Sequence, residues 1–130
     1  MFSHDDIFMP LALTVIIDNK VRDPEMLEFR KQATALCELF ELDQMSEKDV
    51  TSWFNQREPK IRETLNDKGK NTAVLRALTR FTEDIHVENM YDAMVCISIS
   101  DQEFVRDESD LIKSAATIWG FDRPPFKVID

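Results

Sequence analysis

The amino-acid sequence predicts an all-α fold: a compact bundle of about six to eight helices in a single domain, residues 1–130. A chain of 130 residues suits one domain that buries roughly two-thirds of its unfolded surface. Only two glycines and five prolines occur, whereas an all-β fold uses both residue types at its many turns. Apolar residues also recur three and four positions apart along most of the chain, which is the spacing of one helix face.

The first helix is predicted from the apolar run at residues 7–17. Asp5 and Asp6 precede this run, where a signal peptide would carry basic residues. The run is also too short to cross a bilayer. We therefore expect a buried first helix in a soluble, cytoplasmic protein.

The second helix is predicted to begin with Asp23 as the N-cap and Pro24 as the first helical residue. It is expected to continue to about Leu42. Its core-facing residues, three and four apart, are Met26, Phe29, Ala33, Leu36 and Phe40. Ser46 resembles the N-cap of a third helix, and Pro59 is expected either to kink that helix or to divide it in two.

Three more helices are predicted in the second half of the chain. Residues 73–81 and 90–99 carry the apolar positions of two of them, although residues 95–100 alternate with the period of a strand. No second strand is predicted to pair with that segment, so a helix is favoured. Asp107 is expected to be the N-cap of the last helix, and Gly120 to end it at the C′ position.

An approximate internal repeat relates the two ends of the chain. Residues 12–36 match residues 95–119 at a constant offset of 83 residues, and the repeat halves span about 10–42 and 87–121. The aligned pairs are Asp18 with Asp101, Val21 with Phe104, Glu25 with Glu108, Phe29 with Ile112, Ala33 with Ala116 and Leu36 with Trp119. Each half is predicted to be a helical hairpin, with an Asp at the end of its first helix and a Glu at the start of its second.

Carboxylates converge on the predicted turns of both hairpins. A short turn brings Asp18 close to Glu25 in the first hairpin, and the second turn carries Asp101, Glu103 and Glu108. Clustered carboxylates raise one another's pKa unless a cation neutralises them, and hard divalent cations prefer oxygen ligands. These residues are therefore candidate metal ligands. The alternative is that they only stabilise helix ends, because the helix dipole favours an acidic residue in the first turn.

The two turns resemble those of the TerB family, which is associated with tellurite resistance, and of the TerB-like domain in a membrane-anchored DnaJ-type co-chaperone. The best-matching stretch is residues 100–108, continuing to residues 119–121, and the second is residues 18–25. The resemblance covers residues 12–36 and 95–121, while the middle of the chain matches only in its helical character.

This resemblance implies two pseudo-symmetric helical halves and an acidic surface site for a divalent cation such as calcium, manganese or zinc, without an organic cofactor. Carried over by position, the metal ligands would be Asp18, Glu25, Asp101, Glu103 and Glu108. Family members are linked to stress response within assemblies near the membrane, so protein partners are implied. The family usually has glycine after the Asp, where this chain has Asn19 and Gln102. Glutamine tolerates the left-handed conformation poorly, so the second turn is expected to differ in shape.

The balance of charges bounds the partners. Lysine and arginine total 16 and aspartate and glutamate total 25, a net charge of −9. Such a field repels nucleic acid and anionic membranes and attracts cations and basic protein surfaces. Three interpretations stay open: a cation-binding module that docks onto partner proteins, a metal-independent interaction domain, and an acidic mimic of nucleic acid.

A basic stretch interrupts this acidic chain. Its residues are Lys60, Arg62, Lys68, Lys70, Arg76 and Arg80. It is either a solvated helix face with charge pairs or a polar docking surface. No phosphate-binding loop or nucleophile elbow occurs, so no enzyme is predicted. His4 is expected in a mobile tail and His86 at the surface, and Cys37 and Cys96 are expected to be buried, reduced thiols.

Overall fold

Six α-helices make up the computed structural model, which describes residues 2–17, 20–100 and 106–121. They are α1 (His4–Ile16), α2 (Asp23–Leu39), α3 (Glu47–Leu65), α4 (Lys70–Thr79), α5 (Asp84–Ile99) and α6 (Arg106–Trp119). No strand occurs within these ranges, and the segment with strand-like alternation lies in α5. The predicted all-α bundle is therefore confirmed. Within the described part of the chain, no helix is both long and apolar enough to cross a membrane.

The central element of the bundle is α1, which packs against α2, α3, α4 and α5. Residues 10–16 are all buried, so this helix has no polar face, as expected for a helix enclosed on every side. The helix begins with a capping box: the Asp6 N–H donates to Ser3 Oγ (3.2 Å), and the Ser3 N–H donates to Asp6 Oδ2 (2.9 Å). The prediction of a buried first helix is confirmed.

The second helix differs from its prediction at both ends. It begins at Asp23, with Arg22 as the N-cap, so Asp23 lies within the first turn and not at the cap. It ends at Leu39 because Glu41 adopts a left-handed backbone conformation (φ 58°), which lets the Leu42 N–H donate to the Cys37 carbonyl (2.9 Å). Glycine usually occupies such a position, so this helix end was not predictable from the residue types.

The third helix begins at Ser46 as predicted, with the Asp49 N–H donating to Ser46 Oγ (3.1 Å). Of the two alternatives predicted at Pro59, division of the helix is wrong, because α3 continues through Pro59 to Leu65. Proline removes the N–H that would bond to the Asn55 carbonyl, but both residues are exposed, so water can satisfy that carbonyl.

The last helix confirms one predicted end and corrects the other. It begins at Arg106, so Asp107 lies in its first turn and is not the N-cap. Gly120 has a φ of 83°, and the Phe121 N–H donates to the Ala116 carbonyl (2.7 Å). This is the six-residue hydrogen bond of a Schellman motif, with glycine at C′ as the sequence predicted.

The helix boundaries repeat with the offset seen in the sequence. α5 ends at Ile99 and α6 begins at Arg106, each 83 residues after its counterpart, Ile16 in α1 and Asp23 in α2. α1 packs on α2, α5 packs on α6, and α5 also packs on both helices of the first hairpin. The aligned pairs Phe29 with Ile112 and Ala33 with Ala116 are buried in both hairpins.

Candidate functional site

The predicted metal ligands at the two turns fall largely outside the described residues. Asp18, Asp101 and Glu103 lie outside those ranges, and Glu108 lies in α6 with its side chain likewise outside. Among the side chains that are described, no group of three acidic, histidine or cysteine residues comes together in a way that could hold a metal ion. A metal site at the acidic turns therefore stays a prediction. Of its five proposed ligands, Glu25 is the one whose side chain the structure describes.

Glu25 is the third residue of α2 and is completely buried, with 0% of its surface exposed. Its Oε1 atom lies 3.4 Å from Nη1 of Arg22. A buried carboxylate is costly unless a cation and hydrogen bonds compensate for lost water, and the positive end of the helix dipole adds to that compensation. Glu25 is thus held within the fold at the start of α2, directly after the first turn.

A solvent-open groove of about 480 Å³ lies between α3 and α4, above α1. Each wall repeats one spacing. From α3 the groove receives Arg57, Lys60, Ile61 and Thr64, and from α4 it receives Ala73, Arg76, Ala77 and Arg80, both at i, i+3, i+4 and i+7. Met9 and Leu13 of α1 form its floor, and Asp5 and Asp6 stand at one end. We call this the α1–α3–α4 groove.

The groove is apolar inside and charged at its rim. Met9, Leu13, Ile61, Ala73 and Ala77 supply the apolar interior. The rim carries four cationic side chains, Arg57, Lys60, Arg76 and Arg80. An apolar depression with a polar rim is typical of a binding surface, because the apolar interior excludes water from a ligand while the polar groups orient it.

Two of the four cations are fixed by the first residues of α1. Asp5 Oδ1 accepts from Trp53 Nε1 (2.7 Å) and pairs with Arg57 Nη2 (2.9 Å), while the Arg57 guanidinium lies 4.9 Å from the centre of the Trp53 ring. Asp6 Oδ2 pairs with Arg80 Nη2 (2.9 Å). The adjacent carboxylates of Asp5 and Asp6 therefore tie both walls of the groove to α1.

The environment of Asp6 favours its charged form. Burial alone raises the pKa of this carboxyl, but the Ser3 N–H, the Arg80 guanidinium and the Ser3 hydroxyl together outweigh burial and hold its pKa below the usual value for Asp. Asp6 therefore stays ionised at neutral pH, both as part of the α1 capping box and as a partner of Arg80.

The other two cations, Lys60 and Arg76, are exposed and make no ion pair with the residues that the structure describes. They belong to the basic stretch seen in the sequence, which the fold divides. Lys60, Arg76 and Arg80 line the groove, whereas Arg62 pairs with Glu58 (2.9 Å) beside it. The pair of Arg62 with Glu58 fits the interpretation as a helix face with charge pairs, and the docking interpretation stays a prediction.

Both histidines differ from their predictions. His4 is the first residue of α1, not part of a mobile tail, and its Nε2 lies 2.8 Å from the Asp43 carbonyl oxygen. His86 is half-buried in an aromatic cluster, with ring centroids 4.3 Å from Phe40 and 5.5 Å from Phe2. Their apolar and backbone contacts give both residues a role in packing.

The cysteines largely follow the prediction. Both are free thiols; Cys37 is buried, whereas Cys96 is only half-buried. Burial raises the pKa of each thiol. A raised pKa disfavours the thiolate, which is the nucleophilic form, so neither environment activates its sulfur.

A scan against protein-family models, a search of curated proteins and a search of solved structures each found no match for this chain. The resemblance to the TerB family therefore stays a prediction that depends on the two turn motifs.

Proposed function

We propose that this protein is a non-catalytic docking module that holds a segment of a partner protein in the α1–α3–α4 groove. The observation that carries the proposal is the groove itself, about 480 Å³ of open space with an apolar interior and four cations at its rim. This volume lies within the range of ordinary ligand sites, roughly 300–1,000 Å³.

The groove residues also favour recognition over chemistry. The polar groups that line it are four cations, two carboxylates engaged in ion pairs, and the Thr64 hydroxyl, which donates to the Lys60 carbonyl (3.0 Å). General acid–base or nucleophilic catalysis needs a group poised to exchange a proton or attack a substrate. Cations around an apolar surface, two of them held by ion pairs, are instead suited to binding.

Site-specific photo-crosslinking in the native cells tests this proposal. A benzophenone amino acid is introduced at Thr64 or Ala73, which line the groove, and at the matched exposed controls Gln56 and Thr72 on the same helices. We expect discrete cross-linked proteins from the groove positions, and those from Thr64 should be lost when a second substitution, Ala73→Trp, fills the groove. Equal cross-linking from groove and control positions would refute the proposal.

A second candidate function is a cytoplasmic, TerB-like module of the stress response that binds a divalent cation at its acidic turns. The equal spacing of helix boundaries in the two hairpins favours it, since the resemblance depends on a repeated hairpin. So does the burial of Glu25 directly after the first turn. The two functions are compatible, because the turns and the groove involve different residues.

Calorimetric titration of metal-free protein with calcium, manganese and zinc tests the second candidate. Binding at a hundredfold excess over the Kd would stabilise the fold by about 2.7 kcal/mol. That stabilisation should vanish in an Asp18→Asn, Asp101→Asn double variant and persist in an Asp43→Asn, Asp67→Asn control. No heat and no change of melting temperature with millimolar metal would rule it out.

A further inference from the structure

We infer that the occupant of the α1–α3–α4 groove is an acidic amphipathic helix, anchored by about three apolar side chains and paired through its carboxylates with Lys60 and Arg76. This inference rests on the proposed docking function and adds the chemical class of the partner. It follows from the charge, the length and the volume of the groove.

The charge of the groove is opposite to that of the whole protein. The chain has a net charge of −9, yet four cations and two carboxylates line this groove and leave it two positive charges. Asp5 and Asp6 already pair with Arg57 and Arg80. The uncompensated charge therefore resides on the side chains of the opposing walls that make no ion pair within the described chain, Lys60 and Arg76. An anionic ligand lying between those walls gains pairs with both.

The dimensions of the groove suit a short length of helix. The α3 wall extends from Arg57 to Thr64 and the α4 wall from Ala73 to Arg80, and seven residues of helix rise by about 10 Å. A bound helix would therefore place about two turns in the groove, with apolar residues at i, i+3 or i+4, and i+7. A cavity of about 150 Å³ holds one benzene, so a groove of about 480 Å³ has room for about three apolar side chains.

The spacing of the walls also favours a helix over other anionic ligands. Both walls present side chains at i, i+3, i+4 and i+7. These positions form ridges on a helix surface, and the ridges of a third helix can pack into the grooves between them. A lipid acyl chain covers about half of the ~30 Å hydrocarbon core of a bilayer, and is thus longer than this groove. A second copy of this chain carries the same charge of −9, so the two proteins repel each other at long range.

Selection from a displayed peptide library tests the inference. The peptides are helices of about 18 residues with apolar residues fixed at i, i+4 and i+7 and with all flanking positions randomised among acidic, basic and neutral residues. The wild-type protein is the target, and the groove-filled variant Ala73→Trp serves for counter-selection. We expect the surviving peptides to be enriched in Asp and Glu at the positions that flank the apolar anchors.

Affinities of one selected peptide for two double variants then locate the charges. Lys60→Glu, Arg76→Glu reverses the groove, and Lys48→Glu, Lys113→Glu makes the same change of net charge at exposed lysines elsewhere. We expect the groove variant to weaken binding by at least about tenfold and to reduce its salt dependence, and the control by about twofold at most. Circular dichroism of each variant verifies that the helices form.

The outcomes separate the partner class from the docking function. Groove-dependent peptides that are neutral or basic, or equal weakening by both double variants, would overturn the acidic helix while docking stands. No groove-dependent peptide, together with no groove-specific cross-link in cells, would overturn both. Binding to anionic phospholipid vesicles, or self-association, that is lost specifically in the Lys60 and Arg76 double variant would give the groove to a membrane or a second copy and overturn the inference.

Discussion

Replacing Asp6 with alanine tests how the start of α1 is joined to the wall of the groove. The carboxylate accepts the Ser3 N–H at 2.9 Å and pairs with the Arg80 guanidinium at 2.9 Å. The substitution therefore removes half of the α1 capping box and the ion pair to α4. Alanine is a stronger helix former than aspartate, so the loss of free energy of unfolding is a lower limit for these two interactions.

The two losses differ in size. Loss of the hydrogen bond from the Ser3 N–H to the Asp6 carboxylate costs about 1 kcal/mol. Arg80 is 53% exposed, and an ion pair so open to solvent contributes about 0.2–1 kcal/mol. The free energy of unfolding should fall by about 1.5 kcal/mol in all, and the melting temperature by about 6 °C for a domain of this size.

Urea denaturation at neutral pH, followed by circular dichroism, measures these terms in a double-mutant cycle with Arg80→Ala. The coupling between Asp6 and Arg80 should shrink at high salt, because an exposed pair is screened, whereas the remaining cost of Asp6→Ala should not. A cycle with Ser3→Ala should also give coupling, since the two capping hydrogen bonds form together. A total loss below about 0.3 kcal/mol would contradict this account of α1 and its link to α4.

Three further predictions follow from single residues. Because the pKa of Asp6 is lowered in the folded state, its contribution to stability is present above the ordinary Asp pKa of about 3.9 and is lost as the pH falls below it; acid unfolding of Asp6→Asn should accordingly show a weaker pH dependence in that range. Gly120→Ala should destabilise the protein by about 1 kcal/mol in thermal unfolding, because the backbone φ of residue 120 is 83°. The added methyl group itself meets nothing within 4 Å, so the cost is conformational. A neutral result would contradict the role of Gly120 as a C′ residue. Cys37 should react with a thiol reagent at neutral pH only as fast as the protein unfolds, since burial raises its pKa, with the Met45 N–H only partly opposing this; labelling faster than unfolding would contradict that.

The sequence predicted the helices more fully than their ends. Ser46 and Gly120 were identifiable because serine and glycine have specific capping roles. The end of α2 was not, because Glu41 adopts the conformation that glycine normally supplies, and only packing around the turn can impose it. The effect of Pro59 on α3 was not predictable for a similar reason. It depends on whether the Asn55 carbonyl, which lacks its N–H partner, faces water, and that is a property of the fold.

The candidate site divides in the same way. The basic stretch was visible in the sequence. That some of its residues line two facing walls of one groove could be seen only from the placement of α3 against α4. Arg57 was missed altogether, although it shares the i, i+3, i+4, i+7 spacing of the α3 wall. That pattern was detectable, but it was indistinguishable from an ordinary solvated face until α1 was seen beneath it. The carboxylates of Asp5 and Asp6 likewise have their partners, Trp53, Arg57 and Arg80, between 48 and 74 positions away.

The enclosure of α1 has a consequence for synthesis on the ribosome. This apolar helix is translated before the helices that shield it, and one of these, α5, is complete only at Ile99, 83 residues after Ile16. At translation rates of about 5–20 residues per second, α1 waits roughly 4–17 s for that cover. During this interval the nascent chain exposes an apolar segment near the exit tunnel of the ribosome. The yield of folded protein in cells should therefore depend on chaperones that bind nascent chains and on the rate of elongation.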